Sequence, residues 1–111
     1  MANTYRGIGR NLTTANPTTI YTCPANTVAI IMKINCANVM AIDTNVSVMW
    51  TDISSTPHAT IYLCKNTVLP TKTAIKVGDE EPVILMAGNS LQAQTDDAGG
   101  VDVTLAILEI S

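Results

Sequence analysis

Apolar residues recur at every second position through most of this chain, and the alternation breaks it into short strands. A Thr-rich run over 18–23 ends where Pro24 removes a backbone donor and restricts its neighbour. Residues 29–36 carry Ile30, Met32, Ile34 and Cys36 on one face, with Ala29, Ile31, Lys33 and Asn35 on the other. Residues 45–51 set Val46, Val48 and Trp50 against Ser47, Met49 and Thr51, and 59–65 set Ile61 and Leu63 against Thr60, Tyr62 and Cys64. Further runs cover 82–87, 90–95 and 101–110, with a weaker one at 72–77. A period of two in β-branched residues predicts half-buried strands. Between them lie turn formers, among them Pro24-Ala25-Asn26, Gly88-Asn89 and Asp97-Ala98-Gly99-Gly100.

Seven or eight antiparallel strands at regular spacing predict an all-β fold, a single β-sandwich of jelly-roll or immunoglobulin-like type. Residues 1–17 are polar, hold Gly7, Gly9 and Pro17, and show no period. They read as an extended N-terminal arm, with the sandwich domain at 18–111. The expected core is Ile20, Ile30, Met32, Ile34, Val46, Val48, Trp50, Ile61, Leu63, Leu85, Leu91, Val103, Leu105 and Ile107. With no Phe and one Trp, it is an aliphatic core. Ile31, Met49, Leu108 and Ile110 then point away from it, as candidate subunit contacts. In the arm, Tyr5, Arg6, Arg10 and Leu12 are candidates of the same kind, for a segment that orders on a neighbour.

Composition narrows the function. At 111 residues one domain is expected, burying roughly 65% of its unfolded surface. Charged residues are only 14% of the chain, against about 25% in ordinary soluble domains. A surface so poor in charge suits one covered by partners. The net charge of −3 and scattered cations argue against nucleic acid, which needs clustered Lys and Arg. The densest charges, Asp79-Glu80-Glu81 and Asp96-Asp97, sit at turns without a calcium-loop spacing and read as solvated loop tips. No run approaches the ~20 apolar residues of a membrane span, and the opening MANTYRGIGR lacks a secretory h-region.

Candidate chemistry is sparse. Cys23, Cys36 and Cys64 fit no zinc spacing and suit synthesis in a reducing compartment. The single histidine, His58, has no G-x-S-x-G partner, and the cysteines lie in strand-like runs where a thiol behaves as a small hydrophobe. Gly7-Ile8-Gly9 follows no strand in this reading and is no nucleotide fingerprint. No catalytic residue, metal ligand or cofactor is therefore assigned, and an enzyme is not expected.

Two long stretches resemble a known group of proteins. Residues 11–39, NLTTANPTTIYTCPANTVAIIMKINCANV, are similar to an opening found in small virion proteins of tailed bacteriophages, many of them marine or cyanobacterial. There a "Val/Ile-Tyr-Thr" strand, a Pro-Ala turn and an "Ala-Ile/Val-Val-Lys-Ser-Ile" strand follow one another. Ile20-Tyr21-Thr22, Pro24-Ala25 and Ala29 to Ile34 hold those places here. Residues 82–111 resemble the recurring ending of the same proteins, with Ala87-Gly88-Asn89 where Ala-Gly-Asp is usual, so the carboxylate is absent. The resemblance implies a structural protein of the virion, made in the host cytoplasm. First among its possible roles is a capsid decoration or cement protein, a homo-oligomer (a trimer is one form) bound to the major capsid protein or other virion proteins. A neck, tail or baseplate adaptor is the second, and a carbohydrate-binding module of a host-recognition fibre the third.

Overall fold

A computed structural model describes residues 2–53, 58–77 and 82–111. Among these, nine strands and no helix occur, so no helix is long and apolar enough to cross a membrane. The strands are β1 (Asn3–Asn11), β2 (Thr18–Thr22), β3 (Val28–Asn38), β4 (Thr44–Asp52), β5 (Ala59–Leu69), β6 (Ala74–Val77), β7 (Val83–Leu85), β8 (Ser90–Gln94) and β9 (Val101–Ile110). All pair antiparallel, in a five-stranded sheet of order β1-β9-β3-β6, with β7 also on β3, and a four-stranded sheet of order β2-β8-β4-β5. Taking β6 and β7 as one interrupted strand, this is the eight-strand jelly roll: the chain changes sheet at every connection except the β4–β5 hairpin. The sandwich expectation holds, in its jelly-roll form.

Inward-facing aliphatics of the two sheets fill the core. Val103, Leu105 and Ile107 of β9 meet Val46 and Val48 of β4 and Leu91 and Ala93 of β8, all essentially solvent-free. Turn chemistry closes the ends. Asn26 takes φ 58 in the turn after Pro24, a conformation its short polar side chain tolerates. Gly100 packs so tightly that an added Cβ would lie 2.1 Å from the Met40 sulfur and 3.0 Å from the Asp97 carbonyl.

Four bulges alter the strict alternation that the sequence suggests. Met32 is the extra residue between the pairs Ile31↔Ile107 and Lys33↔Ala106. Ile31 therefore enters the core and Met32 is exposed, while Ile30 turns to the outer face. This corrects the expected placement of Ile30 and Met32 inside and of Ile31 outside. A shift at Ile20 in β2 lets both Ile20 and Tyr21 into the core. Two further shifts in β5 leave Leu63 only half-buried and Ile61, expected in the core, exposed.

The stretch expected to be an extended N-terminal arm instead contributes an edge strand to the fold. Asn3–Asn11 forms an unbroken antiparallel pair with β9, and Leu12 behind it is fully buried. Its strand character is hard to read because an edge strand with little cover on either side needs no apolar alternation. Leu12, a candidate contact for a neighbouring subunit, instead plugs the core of its own. The backbone closes around it: its N–H donates to the Val101 carbonyl at 2.9 Å and its carbonyl accepts the Gly99 N–H at 2.6 Å.

Candidate interaction face

On the outer side of the five-stranded sheet, strand register aligns a row of apolar side chains. Tyr5 of β1 lies opposite Leu108 of β9, Leu108 opposite Ile30 of β3, and Ile30 opposite Ile84 of β7. Directly opposed antiparallel side chains share one face with Cβ atoms about 5 Å apart, so the row crosses four strands. Tyr5 is 73% exposed and Ile84 53%, while Ile30 and Leu108 are half-buried. Val28 and Ile110 pair alongside and widen the patch. Farther along the same face the character changes. A shallow depression of about 210 Å³ is lined by Lys33, Asn35, Thr104, Leu105 and Ala106. The outer face is thus apolar at one end and polar at the other.

The sequence-derived candidates divide accordingly. Tyr5, Leu108 and Ile110 come together on this face. Arg6 and Arg10 alternate to the opposite side of β1, across from Ile107 and Val103. Ile31 and Leu12 are core residues, and this removes both from any surface contact. Met49 does face outward, on the four-stranded sheet, but it is only 4% exposed, between its cross-strand neighbours Tyr62 and Gln92. Neither Ile30 nor Ile84 is legible as a face residue in the sequence: strict alternation points Ile30 inward because it does not show the bulge, and Ile84 lies in an apolar run without a period.

Titratable groups converge at one place. The Tyr21 hydroxyl donates to Glu109 Oε2 at 2.5 Å, and Arg6 Nη1 donates to the same oxygen at 3.3 Å. Glu109 thereby ties β9 to an edge strand of each sheet. Burial first, then the Glu109 hydrogen bond and charge, push the Tyr21 phenol well above its ordinary range. A neutral phenol held by a carboxylate is a structural tie and not an acid–base pair poised near neutrality.

The thiols of Cys36 and Cys23 are equally settled. Burial pushes the Cys36 thiol up to about 12, with the nearby Cys64 adding to it. Burial likewise raises Cys23, whose Sγ donates to the Thr27 carbonyl at 3.2 Å. Cys23 sits beside the β7–β8 turn, accepting from the Gly88 N–H and donating to the Asn89 carbonyl. Asp96 and Asp97 are engaged as well, with the side chains of Asn45 and Thr44. Asp79-Glu80-Glu81 lies outside the described residues. Among those described, no group of three or more His, Cys, Asp and Glu could hold a metal ion. Nor do the exposed aromatics form a platform: Tyr5 and Tyr62 stand on opposite sheets, and Trp50 points inward.

The raised groups set a pH dependence. Their neutral forms are favoured by folding, so their contribution is complete below the unfolded values and is lost as pH rises through the folded ones. For Cys36 that window runs from 9.0 to about 12. The urea midpoint should stay level near neutrality and fall above pH 9, with Cys36 unreactive to thiol reagents until unfolding. A midpoint that rises in alkali would contradict this.

No protein-family model matches the chain, and no curated protein does. Among solved structures, it is similar to that of Bacillus endospore appendages, which form a novel family of disulfide-linked pili. The TM-score is 0.57 at 11% identity, covering 99% of this chain and 87% of that one. Two looser overlaps are with a pentameric capsid protein isolated from metagenomic phage sequences and with infectious bursal disease virus, Gt strain. The first has TM-score 0.44 and 19% identity, covering 93% of this chain and 59% of that one. The second has TM-score 0.45 and 11% identity, covering 97% and 33%. Identities this low bear on fold alone.

Proposed function

We propose that the protein is a structural subunit of a tailed-phage virion, a decoration protein that reinforces the capsid shell and works through surface complementarity without catalysis. The observation that carries this reading is the apolar row Tyr5–Leu108–Ile30–Ile84, left outside a jelly roll whose core is complete without it. Apolar residues aligned across four strands and bordered by polar ones are characteristic of contact surfaces. The resemblance of residues 11–39 and 82–111 to phage virion proteins supplies the setting. Low charge and the buried thiols of Cys23 and Cys36 agree with a protein that is packed among neighbours.

In this reading the outer face of the five-stranded sheet meets the shell, and symmetric copies repeat that contact. Counting copies per purified particle tests it. Decoration requires on the order of hundreds, matching the repeats of an icosahedral shell. A count of tens or fewer would move the protein to the neck, tail or baseplate, and none at all would remove it from the virion.

A further inference from the structure

Among the described residues the jelly roll presents four sheet edges, and three of them are blunted. β2 is five residues long, bulged at Ile20 and flanked by Pro17 and Pro24. β5 breaks register twice and holds Asn66 at φ 49. The β6/β7 edge is divided into pieces of four and three residues. Bulges, short lengths and flanking prolines are the devices that keep an edge from pairing with another chain. β1 has none of them: nine residues, no proline and an unbroken register on β9.

The hydrogen bonds fix which groups β1 offers. Ala2 and Ser111 exchange both bonds, and Leu12 donates to Val101. Alternation along an antiparallel pair then assigns Thr4, Arg6, Ile8 and Arg10 to β9. Asn3, Tyr5, Gly7, Gly9 and Asn11 turn their N–H and C=O groups outward. Gly7 and Gly9 are the second observation. Neither has a left-handed φ, and a Cβ added at either would meet nothing within 4 Å. Nothing inside the monomer uses their bareness, and glycine within a strand marks close approach by another backbone.

We infer that β1 is a self-pairing edge, joining antiparallel to β1 of a second copy about a two-fold axis through Gly7. Charge selects the register. Shifting the axis by one residue, onto Arg6, sets Arg6 opposite Arg6 of the second copy; shifting it the other way, onto Ile8, sets Arg6 opposite Arg10. Like charges directly opposed are unfavourable. Centred on Gly7, Arg6 lies opposite Ile8 and Arg10 opposite Thr4. All five outward-turned residues then pair with one another: Asn3 with Asn11, Tyr5 with Gly9, and Gly7 with its own counterpart. The exposed Tyr5 ring covers the bare Gly9 across the strand pair, the aromatic partnering that stabilises strand glycines. The two five-stranded sheets become one continuous sheet, an isologous and closed contact.

This names the edge through which the proposed assembly subunit associates with itself, but it stands on strand geometry alone. Sedimentation velocity of the purified full chain should show a dimer. Gly7→Lys, which points into open space in the monomer and opposes its own charge across the axis, should sediment as a monomer that keeps the wild-type circular dichroism spectrum and still melts cooperatively. Gly7→Cys should cross-link into dimers under mild oxidation, because the opposed Cα atoms lie about 5.5 Å apart, within disulfide range. Gly9→Cys, facing Tyr5, should not. A wild-type monomer at the highest soluble concentration, a Gly7→Lys dimer, or equal cross-linking by both cysteine variants would overturn the proposal. Any of these would leave the virion role intact, since copies per particle decide that separately.

Discussion

Leu12→Ala should lower the free energy of unfolding by about 2–5 kcal/mol, the range for emptying a fully buried leucine site. Leu12 is 0% exposed and packs into the same cluster as Val101 and Ile107. The backbone bonds on either side of it, to Val101 and from Gly99, hold the segment in place while the cavity forms, so collapse around the smaller side chain is restricted. Tyr5→Ala on the same strand should change stability by no more than about 0.5 kcal/mol, as for other exposed positions. Urea titration of the two variants measures the contrast. A free, unstructured N-terminus would make both substitutions silent, so a Leu12→Ala loss below about 1 kcal/mol would contradict the integrated β1.

The second large effect concerns neighbouring residues in β3. Ile31→Asp should abolish folding or cost more than about 4 kcal/mol, because it places an unpaired carboxylate in a core with no compensating charge. Ile30→Asp, one position earlier, should leave a folded protein, since its side chain lies on the outer face opposite Leu108 and Ile84. Met32→Asp should be tolerated as well, at a bulged and exposed position. Circular dichroism and melting of the three variants decide the matter. A strand without the bulge would reverse the order, with Ile30→Asp and Met32→Asp unfolding the protein and Ile31→Asp surviving.

These two cases mark how far the fold was legible in the sequence. The period of two and the turn residues identify the sandwich, and most of the core residues of β4, β8 and β9 follow from it. Those strands keep their alternation over the stretch that crosses the core. β2, β3 and β5 do not: β2 and β3 each insert one residue and β5 two, and each single insertion moves the side chains beyond it to the other face. Nothing in the composition of Ile30-Ile31-Met32 indicates which of the three is the extra one. The pairing partner decides it, since Ile31 packs with Ile107 and Lys33 with Ala106. β1 was hidden for a different reason. A strand whose two faces are largely wet carries no hydrophobic signature, and its existence is dictated by β9, whose own edge it covers.

The candidate face was partly legible. Leu108 and Ile110 are recognisable because β9 alternates cleanly and stays apolar on its second side. Tyr5, an arm residue on sequence alone, is a strand residue in the same patch. Ile30 and Ile84 depend on the bulge and on the pairing of β7, which only the assembled sheet supplies.

The most direct measurement is the number of copies bound per particle, determined for wild type and for Leu108→Asp, which interrupts the apolar row at its centre. Wild type should be present on the order of hundreds, following the symmetry of the shell. Leu108→Asp should fold and yet be missing from the particle. A folded Leu108→Asp protein present at full wild-type number would contradict the assignment of this face.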